Sequence, residues 1–284
     1  GSTFKVAVIA AALNEGVVTP DDIIDCERGT WFYGNRPLRD FHAYDKLTVA
    51  DVLKKSSNIG AAKIALMLGK ERLEPYLRAF GIGSTTGIDL PGEEAGIFYP
   101  ASKWTPISIT RIAMGHEVGV TALQMLNVLA AIANDGFLMK PQVVEKVIDA
   151  KGRVILRSEP EVLSRPIRED TAATMRRLLA RITEQGGTGR RAALEGYSIA
   201  GKTGTAQKPI GGGYSQTDHM ASFVGFLPAE MPEIAIIVVV DTPQPLHTGG
   251  QVAAPVFKDI AAELVHYLDI PPSAGATAGT GIGI

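Results

Sequence analysis

The sequence predicts an α+β fold, with a mostly helical lobe beside an antiparallel sheet flanked by helices. Three observations predict it. Apolar residues recur at helical spacing through most of the first half. Three strand-like runs, 197–205, 220–226 and 234–241, gather in the second half. A last helical stretch, 253–268, follows those strands. Helices and strands are segregated along the chain, and no internal repeat interrupts that order.

Each element has a local reason. Residues 2–14 read as a helix ended by Asn14-Glu15-Gly16. Residues 21–44 mix polar and aromatic residues without a period and read as a loop. Thr48 is placed to cap a helix over 49–55, with acidic Asp51 in its first turn. Helices are predicted over 58–68 and 71–80, stopped by Gly69 and Gly81. Gly and Pro crowd 81–106, which reads as a long ordered loop. A helix over 121–134 ends at Asp135-Gly136. Runs 142–148 and 153–157 flank the turn Asp149-Ala150-Lys151-Gly152, a β-hairpin pattern. Residues 170–184 form a helix that Gly186-Gly187 ends. The organisation expected is one domain over 1–270, helical over about 1–140 and sheet-rich over about 141–270. A flexible Gly/Ala/Pro tail is expected over 271–284.

Composition narrows the function. The 284 residues are 45% hydrophobic and 20% charged, enough apolar material for a packed core. A formal net charge of -2, with no block of like charges, gives no footing for nucleic acid. The single cysteine, Cys26, cannot form an internal disulfide. The five histidines form no cluster with metal spacing, so no metal is expected. No apolar run approaches the ~20 residues needed to span a bilayer. The chain opens at Gly1 directly into an apolar helix, as expected of a segment of a longer protein. A free amino group at Gly1, titrating near ~7.7–8.0, would disturb the proton balance of Lys5.

Three short motifs follow one another. Ser2-Thr3-Phe4-Lys5 fits S-x-x-K, Ser56-Ser57-Asn58 fits S-x-N, and Lys202-Thr203-Gly204 fits K-T-G. Ser2 and Lys5 share one helix face. A serine hydroxyl is a poor nucleophile until a neighbour takes its proton. Lys5 does so if neutral, and apolar burial at a helix start disfavours its charged form. Ser56 is placed to relay a proton to a leaving amine, and Asn58 both donates to and accepts from an amide. Lys202 offers positive charge to a carboxylate that the hydroxyls of Thr203 and Thr205 also bond. Gly204 lets a substrate backbone approach the strand. The N–H groups of Ser2 and Thr205 are the expected oxyanion hole. Each motif alone also has a bland reading, as a helix cap, a polar helix junction or a strand end. The ordered set is characteristic of penicillin-binding proteins and class A β-lactamases.

The chain resembles the transpeptidase domain of class B penicillin-binding proteins, nearest to the septal cell-division (FtsI-like) type. The likeness covers nearly all of residues 1–268. It extends beyond the triplets to Thr86-Gly87-Ile88-Asp89-Leu90-Pro91-Gly92-Glu93, Ala221-Ser222-Phe223-Val224-Gly225-Phe226 and Gly249-Gly250-Gln251-Val252-Ala253-Ala254-Pro255. It departs from the family in lacking the strands and membrane-anchored region that precede the serine. The resemblance implies the penicillin-binding/β-lactamase-like fold and peptidoglycan D,D-transpeptidase activity. Ser2 would attack a stem peptide ending in D-Ala-D-Ala, with no cofactor. β-Lactams would acylate the same serine. The site implied is Ser2, Lys5, Ser56, Asn58 and Lys202 for catalysis, with Thr203, Gly204 and Thr205 for substrate. It further implies an extracytoplasmic location, a membrane-anchored parent and division-machinery partners.

Two alternatives use the same motifs, a serine β-lactamase and a non-catalytic β-lactam sensor. A class A β-lactamase needs a glutamate that activates water; Glu93 and Glu94 are the candidates, though in a Pro-Gly turn. A decoy also occurs, because residues 196–203 fit the P-loop pattern G-x-x-x-x-G-K-T. Gly204, Pro209 and the glycines 211–213 forbid the helix that a P-loop must open. His219 and His247 are candidates for the cleft wall, Arg111 and Glu117 read as structural, and Trp31 and Tyr33 are expected to pack inward.

Overall fold

The computed structural model describes residues 1–273. A short 3₁₀ turn, Ser2–Phe4, leads into α1 (Lys5–Asn14). Every side chain of α1 from Lys5 to Ala12 is buried. A helix apolar on all sides has no solvent face to present, so it becomes the central post of the core.

The segment expected to be a loop, 21–44, instead holds two antiparallel ribbons. Strand β1 (Ile23–Asp25) precedes β2 (Thr30–Tyr33) and β3 (Arg36–Arg39), and β4 (Lys46–Thr48) returns to pair with β1. Strands β2 and β3 pair across Gly34 and Asn35, whose φ values are 57° and 59°. Two successive positive φ angles make the turn whose twist suits a two-residue hairpin. The strands are too short for period two to be visible in sequence.

The helices that follow keep their expected places. Thr48 Oγ1 accepts from the N–H of Asp51 and starts α2 (Val49–Lys55). Helices α3 (Asn58–Leu68) and α4 (Lys70–Ala79) come next, then a short α5 (Ser108–Ile112) that the sequence did not announce. Thr121 and Gln124 cap each other reciprocally at the start of α6 (Ala122–Ala133). Beyond it, β5 (Leu138–Met139) pairs with β8 (Val162–Ser164), a ribbon the sequence did not announce. Between them, β6 (Lys146–Ile148) and β7 (Val154–Arg157) form the expected hairpin. Helix α7 (Glu169–Ala180) leads to the main sheet.

That sheet is antiparallel, in the order β11 (Ile234–Asp241), β10 (Gly213–Leu227), β9 (Ala200–Ile210). Strands β9 and β10 outrun their expected ends because they continue as a hairpin arm to the turn at 211–212. Alternation sorts their side chains. Phe223, Leu227, Ile236 and Val238 face α8 (Gly249–Tyr267), while Ala200, Val224, Phe226 and Ile237 join the core around α1, α6 and α7. Helix α6 therefore packs on β10 and β11 from the opposite side to α8. Of the expected tail, residues 274–284 lie outside the described residues, whereas Ser273 is tied to Gly196 and Ser198 by hydrogen bonds.

Candidate active site

The 3₁₀ turn places Ser2 one turn ahead of Lys5 on the same face. Lys5 Nζ lies 3.1 Å from Ser2 Oγ. It donates to the carbonyl oxygen of Ser56 at 2.6 Å and to Asn58 Oδ1 at 2.7 Å, and sits 3.2 Å from Ser56 Oγ. The first two partners can only accept, so they use two amine protons. A neutral amine then keeps its lone pair for a hydroxyl proton, and the two serine hydroxyls are the groups in reach.

The second motif sits where α2 ends and α3 begins. Ser56 closes α2 in the left-handed conformation, φ 61° and ψ 39°. That break turns its hydroxyl toward α1 while its own carbonyl accepts from Lys5. Ser57 caps α3, its Oγ accepting from the N–H of Gly60 at 2.9 Å. Asn58 Nδ2 donates to the carbonyl of Arg39 at 2.8 Å, which fixes the side chain and aims Oδ1 at Lys5.

The third motif lies on β9, and the ladder orients it. Lys202 pairs with Val224 and Gly204 with Ser222 on the α1 side, so Lys202 points at the serines. Its Nζ donates to Ser56 Oγ at 2.9 Å and to the carbonyl of Thr203 at 3.1 Å. Thr203 and Thr205 alternate toward α8. Thr203 Oγ1 donates to Thr188 Oγ1 at 2.8 Å, and Thr205 Oγ1 accepts from the N–H of Gly249 at 3.1 Å. Gly249 opens α8, so the positive end of a 19-residue helix adjoins these hydroxyls. Gly204 is there for space, since a Cβ would sit 2.3 Å from Ser222 Oγ and 3.0 Å from Thr3 Cγ2.

Both lysines are fully buried. Burial lowers Lys5 to about 7, with the charge of Asp40 pulling the other way. Lys202 is pushed well below the usual lysine range by burial and by Lys5. Two ammonium ions on one serine hydroxyl repel, so both being charged at once is disfavoured. The amino group of Gly1 departs from its expectation: it is buried, donates to the carbonyl of Gly115 at 2.9 Å, and is lowered to about 5 by burial and by Lys5 and Lys202. It is neutral near pH 7 and adds no charge beside Lys5.

The three motifs thus meet in one cluster, with Ser56 Oγ between the two lysines. A cavity of about 800 Å³ lies beside it, lined by Thr3, Gly204 and Thr205 on one side and by Tyr99, Trp104 and His116 on the other. The proton-carrying side chains themselves stand outside that lining. His116 rests edge-on against Tyr214, and burial lowers it to about 4. His219 and His247, candidates for the cleft wall, instead stack on each other with ring centroids 4.4 Å apart and do not line the cavity. Trp31 packs toward Leu38, Ile59 and Met114 as expected. Glu117 lines the cavity. Three residues went unread in the sequence: Asp40, Thr188 and His116. Each reaches the site from a loop, where no periodicity marks it.

The decoy and one of the two candidate glutamates, Glu93, have local structural roles. Lys202-Thr203-Gly204 continues as strand through Ile210, so residues 196–203 open no helix. The carboxylate of Glu93 accepts from the N–H groups of Thr86 and Gly87 at 2.6 and 3.0 Å, and is used as a loop staple. Among the described residues no group of His, Cys, Asp and Glu could hold a metal ion, and no helix is long and apolar enough to cross a membrane.

Known proteins resemble this chain along most of its length. The family described as "Penicillin binding protein transpeptidase domain" matches residues 1–262. The penicillin-binding protein PbpB of Mycolicibacterium smegmatis is 35% identical over 96% of this chain and 44% of its own length. The probable peptidoglycan D,D-transpeptidase PenA of Neisseria meningitidis is 32% identical over 98% of this chain and 46% of its own length. This chain therefore spans about half the length of the curated relatives it matches. Penicillin-binding protein 3 from Mycobacterium tuberculosis, solved in complex with aztreonam, superposes with a TM-score of 0.89 at 31% identity, covering 97% of this chain and 64% of that one.

Proposed function

Because the chain belongs to the penicillin-binding protein transpeptidase domain family, we propose that it is the D,D-transpeptidase unit of a cell-wall cross-linking enzyme, with Ser2 as nucleophile. The observation that carries the reading is the position of Lys5, buried, lowered to about 7 and 3.1 Å from Ser2 Oγ. It is a base at neutral pH beside the hydroxyl it must deprotonate.

In this reading the terminal carboxylate of a D-Ala-D-Ala stem enters between Lys202, Thr203 and Thr205. Ser2 Oγ attacks the penultimate carbonyl as its proton passes to Lys5 Nζ. The oxyanion forms at the N–H groups of Ser2 and Thr205. Ser56 Oγ, between Lys5 and Lys202, returns a proton to the leaving amine, and the terminal D-alanine departs. The acyl-enzyme then meets an amine from a neighbouring stem, and the same path runs in reverse to release the cross-linked product. A β-lactam opens on Ser2, and its product remains where the amine should approach.

The unit spans 1–270, a helical lobe followed by a sheet-rich one. Its substrate is peptidoglycan, so it acts outside the cytoplasm. A membrane-anchored parent working with division proteins remains part of this proposal, resting on the resemblance to the septal type alone. The staple role of Glu93 removes one of the two glutamates that a β-lactamase reading offered. Mass spectrometry after incubation with a penicillin tests the reading: one adduct on the peptide containing Ser2, lost in Ser2→Ala and stable over hours. An adduct elsewhere, or rapid release of hydrolysed drug, overturns it.

A further inference from the structure

The start of α3 carries an anion that the mechanism above does not use. Asp40 lies just past β3, eighteen residues before Asn58 in sequence. Its backbone N–H donates to the carbonyl of Gly29 at 3.1 Å. Gly29 is held at φ 86°, where a Cβ would meet Ala43 Cα at 2.7 Å, so the loop is closed tightly around Asp40. One carboxylate oxygen accepts from the backbone N–H groups of Asn58 and, at 3.0 Å, of Ile59. The other accepts from Ser57 Oγ at 2.6 Å. Three bonds from a half-buried carboxylate onto one helix start are far more than a cap needs. Ser57 alone already serves Gly60.

Those bonds hold the residues that hold Lys5. Asn58 and Ser56 together supply three of the four contacts of Lys5 Nζ. Asp40 also acts on Lys5 through space, as the one carboxylate whose charge appreciably favours the lysine proton. Lys202, the amino group of Gly1 and His116 face Lys5. On its outer side Tyr44 and Cys26 adjoin Asp40, and the charged groups Lys63 and Asp25 act in turn on Cys26.

We infer that Asp40 is a positioning residue for Lys5: its carboxylate clamps the helix start that carries Ser56 and Asn58, and its charge sets the pH at which Lys5 becomes able to take the serine proton. The two roles have opposite signatures. Clamping raises the rate at every pH. The charge keeps Lys5 protonated to higher pH and so delays the onset of the reaction. This inference rests on the proposed acylation of Ser2 and adds a control on it.

The test is the second-order rate of acylation by a fluorescent penicillin, followed across the neutral range in the native protein, Asp40→Asn and Asp40→Glu. Rates are normalised to the reactive fraction by active-site titration. Asp40→Asn should lower the high-pH plateau roughly tenfold and move the midpoint of the acid limb down by at least ~0.5 pH unit, because a nearby opposite charge is worth that much or more. Asp40→Glu should leave the midpoint near the native value whatever its plateau. Should Asp40→Asn fold poorly, Asp40→Ser keeps an acceptor for the helix and removes the same charge, with the same shift expected. An unmoved midpoint in the neutral variants, even with a lower plateau, reduces Asp40 to an ordinary helix cap and overturns the inference. A native protein that takes up no penicillin at all instead overturns the transpeptidase reading, and this inference with it.

Discussion

Helix α1 and the β6–β7 hairpin are both apolar segments, and they end in opposite surroundings. In α1 everything from Lys5 to Ala12 is buried, the lysine included. In the hairpin Ile148, Ile155 and Leu156 are 56%, 65% and 54% exposed. Helix α1 is packed by α3, α4, α6 and α7, while β6 and β7 mainly hold each other. The hairpin is fixed at its base, where Asp89 accepts from the N–H groups of Val143 and Val144 at 2.8 Å each. The contrast teaches where the cost of burial is concentrated. A lysine inside α1 stays only because four oxygen atoms surround its nitrogen, and no buried side-chain polar atom among the described residues lacks a partner. The burial that demands those partners is also what lowers Lys5 to about 7. Isoleucines on the hairpin cost little where they are and carry no chemistry.

The largest expected effect breaks the chemical side of this contrast. Lys5→Ala should slow acylation of Ser2 by roughly 10²–10⁴-fold, the usual weight of general acid–base catalysis. Lys5→Arg should recover little, since a guanidinium does not release its proton at usable pH. Stopped-flow rates with a chromogenic cephalosporin read both. Near-native rates in either variant would mean that the base is elsewhere.

Burial of Lys5 also has a signature in stability. Its pKa in the folded chain is about 7, against 10.5 for a free lysine side chain. Between those values the unfolded chain binds the proton and the folded chain does not, so stability from this residue rises with pH. It is fully present above the unfolded value and is lost as pH falls toward 7. Urea midpoints of the native protein and Lys5→Met should therefore diverge in favour of the native one, by about 1.4 kcal/mol per pH unit within that window. A constant difference would show that Lys5 is not buried in solution.

How much of this could be read in advance depended on the range of the interactions. Ser2 and Lys5 meet through one helical turn, and Lys202, Thr203 and Gly204 through one strand, so spacing alone put them together. That Ser56 would lie between the two lysines needed the known order of the motifs, because 51 and 146 residues separate it from them. Asp40 and Thr188 remained hidden, since a loop residue capping a distant helix or hydroxyl leaves no pattern. Among the elements, α2, α3, α6 and β11 followed from caps and periodicity. The ribbons β1–β4, β2–β3 and β5–β8 did not, because two to four residues carry no legible alternation. Exposure of the hairpin was equally unreadable: its apolar runs resemble those of β11, and only packing distinguishes them.

Between the two regions in size lies the substrate carboxylate. Thr203→Val keeps the shape of the side chain and removes its hydroxyl. A hydrogen bond to a charged group is worth about 1.5–3 kcal/mol, so acylation by a carboxylate-bearing penicillin should fall by that equivalent. The methyl ester of the same drug should be affected much less. Because Thr203 also donates to Thr188 Oγ1, part of the loss could come from that partner. Thr188→Val separates the two, and should cost less than Thr203→Val with the acid. Equal losses for acid and ester would remove Thr203 from carboxylate recognition.

The smallest effect is expected on the hairpin, and it tests the other half of the contrast. Ile155 is 65% exposed and pairs within a ribbon that stands off the core. Replacing it by Thr preserves the β-branch, and with it the strand preference. Little apolar area returns to water, because most of the side chain is already there. Surface substitutions of this kind usually stay within about 0.5 kcal/mol, so the urea midpoint of Ile155→Thr should match the native one. Ile9→Ala in α1 is the control. Ile9 is fully buried, and truncating such a residue costs about 2–5 kcal/mol. If Ile155→Thr instead approaches the cost of Ile9→Ala, the hairpin is covered in solution by another part of the protein or by a second molecule. A midpoint that changes with protein concentration in the native chain, but not in the variant, would then identify a second copy as the cover.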